Sequence, residues 1–198
     1  MGEDLSAAPV PEWLVPPAGG FTADDLDRLS GLPPHTELID GSLVFASPQT
    51  FFHMLVGDFL LFALRAQAPQ GFAMVRRMTV TLGRRNRPEP DLMVLKADAR
   101  SLDAEATTYR PEDVALAVEV ASAESEDRDR EVKPDKYAQA GIPHFWRVEK
   151  DQGLRPVVYV YELDPATSTY ALMKIACDNL ATPGPFPIDI DLTAIDTF

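Results

Sequence analysis

Cysteine occurs once, at Cys177, so no disulfide can close within the chain and a thiolate-based zinc site is excluded. A reducing cytoplasm is the compartment this composition suits. Histidine is nearly as scarce, and His35, His53 and His144 are too scattered to make a metal-spacing motif. Positive charge is also in short supply: 18 Lys and Arg against 31 Asp and Glu leave a net charge of −13, which argues against a protein held on nucleic acid or membrane by bulk attraction. Any phosphate-binding surface must then be a local basic patch on an acidic body. Long apolar runs are missing. The longest apolar-rich segment, residues 51–66, contains His53, Asp58 and Arg65 and is too short and too polar to span a bilayer. No basic stretch followed by an apolar one opens the chain, so a secretory signal is not expected.

What is present is ordinary globular composition over 198 residues, a little more than one average domain and enough to bury a core without staples. Residues 1–20 carry Pro9, Pro11, Pro16 and Pro17 and end in Gly19-Gly20, which predicts a flexible Pro/Gly-rich arm ahead of a single domain over residues 21–198. Thr22 reads as the cap of a short helix running to Ser30, with Asp24 and Asp25 in its first turn. Asp40-Gly41 between two apolar runs predicts a β-hairpin. Phe52, Leu55, Val56, Phe59, Leu60 and Ala63 recur at helical spacing, and further apolar residues extend that surface nearly round the cylinder, so this helix should be largely buried. Strands are expected over residues 73–82, 91–95 and 114–121, then a helix over 132–140 closed by Gly141, and a strand over 145–148. A hairpin across Asp164-Pro165 and a last half-buried strand over 186–192 complete the pattern, with Asp189 and Asp191 on its wet side. The order predicts a mixed α/β layer fold whose central strands are covered by helices on both faces. The terminal strands would enlarge the sheet or form a dimer edge.

Two acids stand out. Pro90-Asp91 opens one expected strand, and Glu119 sits near the end of another among apolar neighbours, where an unpaired acid is costly. If the strands are neighbours, both can converge on one divalent cation, and magnesium favours one or two carboxylates completed by water and phosphate oxygens. The plainer alternative is an ion pair with Arg76 or Arg77, or exposure at the strand ends. Arg84, Arg85 and Arg87 lie just before Asp91, the one concentrated basic segment of the chain. They suit phosphate oxygens, or else form a solvated hairpin tip.

Several stretches taken together resemble a known family. They are TELIDGSL from Thr36, Ser47-Pro48 followed by His53, Pro90-Asp91, Val118-Glu119-Val120, Asp129-x-x-x-Lys133-x-x-x-Tyr137, and GIPHFWRV from Gly141. The combination is similar to the Uma family of putative restriction endonucleases, a branch of the PD-(D/E)XK nuclease superfamily. The resemblance runs from about Thr22 to the C-terminus and implies a restriction-endonuclease-like αβββαβ core, with an N-terminal hairpin and extra C-terminal strands.

It further implies that Asp91 and Glu119 are catalytic acids and hold Mg2+ or Mn2+. The superfamily lysine should sit two residues after Glu119, where this chain has Ala121, and Lys133, at the entrance of the next helix, is the candidate replacement. Lys136 reads as a solvated charge. Glu37 is a third possible acid or a solvent-facing hairpin residue. His53 is a possible accessory residue or a cap. Tyr137 falls on the helix face of Lys133 and could orient it or simply pack. The implied activity is metal-dependent hydrolysis of DNA phosphodiester bonds by a magnesium endonuclease, to which the composition adds a cytoplasmic setting, the terminal strands a homodimer, and the basic segment a weak grip on DNA through Arg84, Arg85 and Arg87. The alternative is a catalytically inactive binding or assembly module on the same fold, favoured by the net acidity and by Ala121.

Overall fold

The computed structural model describes residues 11, 13, 15–96, 105–121, 128–153 and 155–198. Most of residues 1–14, and with them much of the expected arm, lie outside this set, although the Trp13 ring stands edge-on to Phe45 with centroids 5.4 Å apart.

The chain enters through a single helical turn, α1 (Asp25–Arg28), shorter than expected. Thr22 does not cap it as an acceptor. Its backbone N–H and hydroxyl both donate to the Asp25 carboxylate at 2.7 Å, so the acid reaches back instead. Strands β1 (Glu37–Ile39) and β2 (Ser42–Val44) pair as the expected hairpin. Asp40 and Gly41 both take positive φ, 51° and 81°, the combination a two-residue turn of this hand requires.

Helix α2 (Phe51–Gln67) starts at Thr50, whose side chain accepts from the His53 N–H at 3.3 Å. Phe52, Val56, Phe59, Leu60 and Leu64 recur at three- and four-residue steps and are buried. The helix is less enclosed than its composition suggests, because Phe51, Met54 and Phe62 on the other side stay exposed. Pro69 ends it.

The expected strand over 73–82 divides into β3 (Ala73–Arg76) and β4 (Thr79–Val80), because the backbone turns at Arg77, where φ is 53°. There follow β5 (Leu92–Leu95), β6 (Thr108–Tyr109), β7 (Val114–Val120), helix α3 (Lys133–Gln139) and β8 (His144–Lys150). Then come β9 (Pro156–Asp164), β10 (Thr169–Ala176), β11 (Asn179–Thr182) and β12 (Ile188–Asp191). A six-stranded mixed sheet has the order β10-β9-β8-β7-β5-β3, antiparallel throughout except for β7 beside β8, the pair that α3 connects. β4 pairs with β6, and β11 with β12, in two small separate sheets. The last strand therefore gained a hairpin partner that the sequence pattern did not reveal, and it does not join the main sheet.

Strand alternation divides the core. Leu92, Val94, Leu116, Val118 and Val120 pack with α2, whereas Met93, Leu95 and Ala117 pack with Tyr137 of α3, Ile142 and Phe145. Continuing this alternation, Glu119 belongs to the α3 face. Helix α3 opens at Lys133, with Pro134 tolerated in the first turn. It ends where Gly141, at φ 82°, lets the Gly141 N–H reach Ala138 and the Ile142 N–H reach Tyr137. A π-helical turn, Arg128–Val132, leads into it, so the helical path begins earlier than the expected 132. Among the described residues no helix is long and apolar enough to cross a membrane.

Candidate active site

β5 and β7 are antiparallel neighbours with Leu92 opposite Val118. One further step in that register sets Asp91 against Glu119 at the end of the sheet. The Val120 N–H donates to Asp91 Oδ2 at 2.7 Å, which fixes one carboxylate oxygen. The other, Oδ1, is 3.0 Å from His53 Nε2 at the first turn of α2. His53 is thus more than a helix-entry residue, since the Thr50 cap uses its backbone while the ring reaches Asp91.

Glu119 is 1% exposed. Its Oε1 accepts from the Tyr137 hydroxyl at 2.6 Å and faces Lys133 Nζ at 3.1 Å. Tyr137, four residues after Lys133, therefore orients the acid rather than the lysine, and its ring also packs against Phe145. Lys133 Nζ lies 3.0 Å from Glu37 Oε1 and 3.4 Å from Asp129 Oδ1 as well. Glu37 is not a solvent-facing hairpin residue: it is buried, and the same Oε1 accepts from the Glu89 N–H at 2.7 Å. One ammonium thus holds three acids from β1, β7 and the turn before α3.

The electrostatics follow from that enclosure. Burial pushes the Glu119 carboxyl well above the ordinary range, the Lys133 charge opposes this, and the Asp129, Asp91 and Glu37 charges reinforce it. Burial alone would lower the Lys133 pKa, but Glu119, Glu37, Asp129 and Asp91 outweigh it and the net shift is upward. Burial and the neighbouring acids raise the Tyr137 phenol, which stays neutral and donates. Glu89, next to the cluster, is pushed up by burial while His35, 2.6 Å away, pulls the other way.

These groups border a cavity of about 290 Å³ between the hairpin, the start of α2 and the ends of β5 and β7. Asp91, Glu119, Lys133, Glu37 and His53 all line it, and Tyr137 supports it from behind. The basic segment fares differently. Arg87 is 3% exposed, its Nε donates to Thr79, and its two terminal nitrogens chelate Asp27 at 2.6 and 3.0 Å, so it braces the fold and cannot offer its charge to DNA. Arg85 donates to the Asp40 carbonyl at 2.6 Å, and it and Arg84 are exposed on a turn that does not border this cavity. Lys136 pairs with Asp40 at 2.7 Å at the surface. Sequence reasoning missed Asp129 as a site residue, together with Glu89 and Arg128 on the cavity wall; Arg77, named from the sequence as an ion-pair partner for the acids, borders the cavity too. The four-residue spacing from Asp129 to Lys133 was the available signal for the first.

Asp91 and Glu119 could hold a divalent cation. Among the described residues no group of three or more His, Cys, Asp or Glu is placed to cage one. The donor set still fits magnesium: Glu119 Oε2 is used by neither Tyr137 nor Lys133, and Asp91 Oδ1, which meets only the His53 ring, would exchange that contact for a hard cation that completes its shell with water and substrate oxygens.

A mixed sheet with two acids at the ends of neighbouring strands and a lysine at the entrance of the following helix defines a protein of the restriction-endonuclease-like class. The chain belongs to the Uma2 family, whose model, described as "Putative restriction endonuclease", matches residues 23–194. No curated protein matches the sequence. Among solved structures it is similar to a crystal structure titled as a putative nuclease belonging to DUF820 from Anabaena variabilis. The TM-score is 0.69 at 14% identity, over 89% of this chain and 98% of that one, which establishes likeness of fold.

Proposed function

We propose that the protein is a magnesium-dependent endonuclease that hydrolyses DNA phosphodiester bonds in this cavity. The observation that carries the reading is the convergence of Asp91, Glu119 and a buried, charged Lys133 on one solvent-reachable wall. A bound Mg2+, or Mn2+, would supply Lewis-acid polarisation of a phosphate oxygen and a more acidic water. The residues that would hold it are Asp91 and Glu119.

The protein's own groups divide the remaining work. The Val120 N–H and the Tyr137 hydroxyl fix the two carboxylates, so little reorganisation is needed when the substrate arrives. Lys133 cannot act as a general base, because its neighbours keep it protonated. It serves as a fixed ammonium that stabilises the negative charge building on the phosphate oxygens while water adds to phosphorus and the leaving P–O bond breaks. The absence of lysine at position 121 is met here from α3, since Lys133 Nζ comes within 3.1 Å of Glu119. Glu37 and Asp129 hold that ammonium, and His53 restricts how Asp91 can turn.

The test is incubation of the purified chain with single- and double-stranded DNA, linear and circular, across a titration of Mg2+ and Mn2+. Cleavage that needs the cation and disappears in Asp91→Asn supports the reading. Tight cation binding with no cleavage of any nucleic acid would instead establish the non-catalytic module.

A further inference from the structure

We propose that Arg77 and Arg128 form a phosphate clamp on the wall of this cavity, gripping the strand on either side of the bond to be cut, while the Arg84 and Arg85 turn does not. The proposal rests on the endonuclease reading for its substrate but on separate side chains for its evidence. A polyanion entering a cavity bordered by Glu37, Glu89, Asp91, Glu119 and Asp129 needs local cations. Apart from histidine, the cations among the described lining residues are Lys133, Arg77 and Arg128. Lys133 already faces three acids at 3.0, 3.1 and 3.4 Å, so its single charge is shared among them before a substrate arrives.

The two guanidinium groups are not so engaged. Arg128 makes no hydrogen bond or ion pair among the described residues, and its Nε is buried without a partner. A buried guanidinium donor left unmatched is uncommon, because desolvation without a hydrogen bond is costly. A planar fork facing a cavity is the shape that matches phosphate oxygens. Arg77 approaches Glu89 only to 3.8 Å, beyond hydrogen-bond length, and Glu89 Oε1 is already met by His35 at 2.6 Å. The Arg77 backbone is held at φ 53°, a region that a long side chain rarely adopts. Residues kept in such conformations cluster where a side chain must be aimed, and this one is turned out of β3 to border the cavity. The two arginines reach it from different elements, Arg77 from the bend after β3 and Arg128 from the turn before α3, so they can flank a strand crossing Asp91 and Glu119.

The experiment is fluorescence anisotropy of the full chain with labelled single- and double-stranded oligonucleotides, in calcium and in EDTA, over a series of salt concentrations. Arg77→Gln and Arg128→Gln should each weaken binding by about tenfold or more. Each should also reduce the slope of log affinity against log salt by roughly 0.7 for single strands and 0.9 for duplex. Arg128→Lys should restore the slope but not the full affinity, because the charge returns without the fork. In steady-state cleavage the same substitutions should raise KM far more than they lower kcat. Thermal unfolding of each variant separates lost contacts from lost fold, and Arg128→Lys keeps the comparison open if Arg128→Gln unfolds. Unchanged slopes in both glutamine variants, an equal loss on Arg84→Gln with Arg85→Gln, or a parent chain that binds neither oligonucleotide would overturn the clamp. A parent that shows the arginine-dependent slopes yet cleaves nothing would refute the endonuclease reading and leave the clamp standing. Cleavage that is indifferent to both arginines would refute the clamp alone.

Discussion

Replacing Lys133 with methionine tests the electrostatic account of the site most directly, because the unbranched apolar stem is kept to within one atom while the charge is lost. As a residue of the reaction alone, Lys133 could be removed with the fold nearly intact. Its surroundings say otherwise: it is 5% exposed and sits 3.0 to 3.4 Å from Glu37, Glu119 and Asp129. Unit charges about 3 Å apart at an effective dielectric near 20 attract by roughly 5 kcal/mol each, and most of that offsets the cost of burying them. Removing one member of such a cluster leaves the others uncompensated, which costs about 3 to 5 kcal/mol. For a chain of this length each kcal/mol is worth about 2 to 4 °C, so the variant should melt roughly 6 to 20 °C lower at pH 7.

The pH dependence has a definite sign. In the parent, Lys133 is raised above its unfolded value, so its contribution is complete throughout the acid and neutral range and is lost only as pH rises through the folded pKa. In the variant the Lys133 charge no longer opposes burial and repulsion by Asp129, Asp91 and Glu37 at Glu119. The Glu119 carboxyl, already raised in the parent, is raised further, and stability falls as pH rises through that value. Acidification therefore protonates it and narrows the gap to the parent. Calorimetric melting between pH 5 and pH 8 measures this, alongside a cleavage assay in which the loss of a fixed cation should cost about 100-fold or more in kcat. Equal melting temperatures at pH 7, or a gap that widens on acidification, would refute the reasoning.

Glu119→Gln should retain the Tyr137 hydrogen bond while losing half of the candidate metal pair, so calorimetric titration with Mn2+ should show affinity reduced tenfold or more with little change of fold. Arg87→Met should lower stability by about 3 kcal/mol, the low end for a broken buried pair because Asp27 is 48% exposed, and urea unfolding should record that loss with DNA affinity unchanged. Asp27 is held below its usual pKa, first by the Arg87 hydrogen bond, so its contribution is present above its unfolded value and fades as pH falls through the folded one. Asp27→Asn should accordingly melt below the parent at pH 7, and the difference should shrink progressively below about pH 4.

Much of the architecture was legible because local signals and burial agreed. Asp40-Gly41 supplied the turn that two positive φ angles require, and apolar spacing placed the helix over residues 51–67. Glu119, flanked by valines in β7, pointed to a partnered site. The misreadings share a cause. The bend at Arg77 divides β3 from β4 where the residue type gives no warning, since arginine has no preference for positive φ. Arg87 looked like part of a basic surface because charge reads as exposure in one dimension. Whether a guanidinium faces water or chelates Asp27 from sixty residues away depends on how the first helical turn packs on the strand loop.

The site shows the same limit from the other side. Pairing of β5 with β7 could be guessed from order, and it brings Asp91 to Glu119, but the identity of the cation beside them depends on where α3 enters. Pro134 confines Lys133 to the first turn of that helix, and the preceding π turn brings Asp129 to the same ammonium. Lys133 brings its Nζ to Glu119 because β7, α3 and β8 form one crossover, whose helix starts close to the end of the strand before it. The proposed role of Lys133 therefore requires that the helix entrance stay fixed. Tyr137, one turn further on, keeps it so: its ring packs against Phe145 while its hydroxyl, 2.6 Å from Glu119, ties the helix to the strand whose acid it serves.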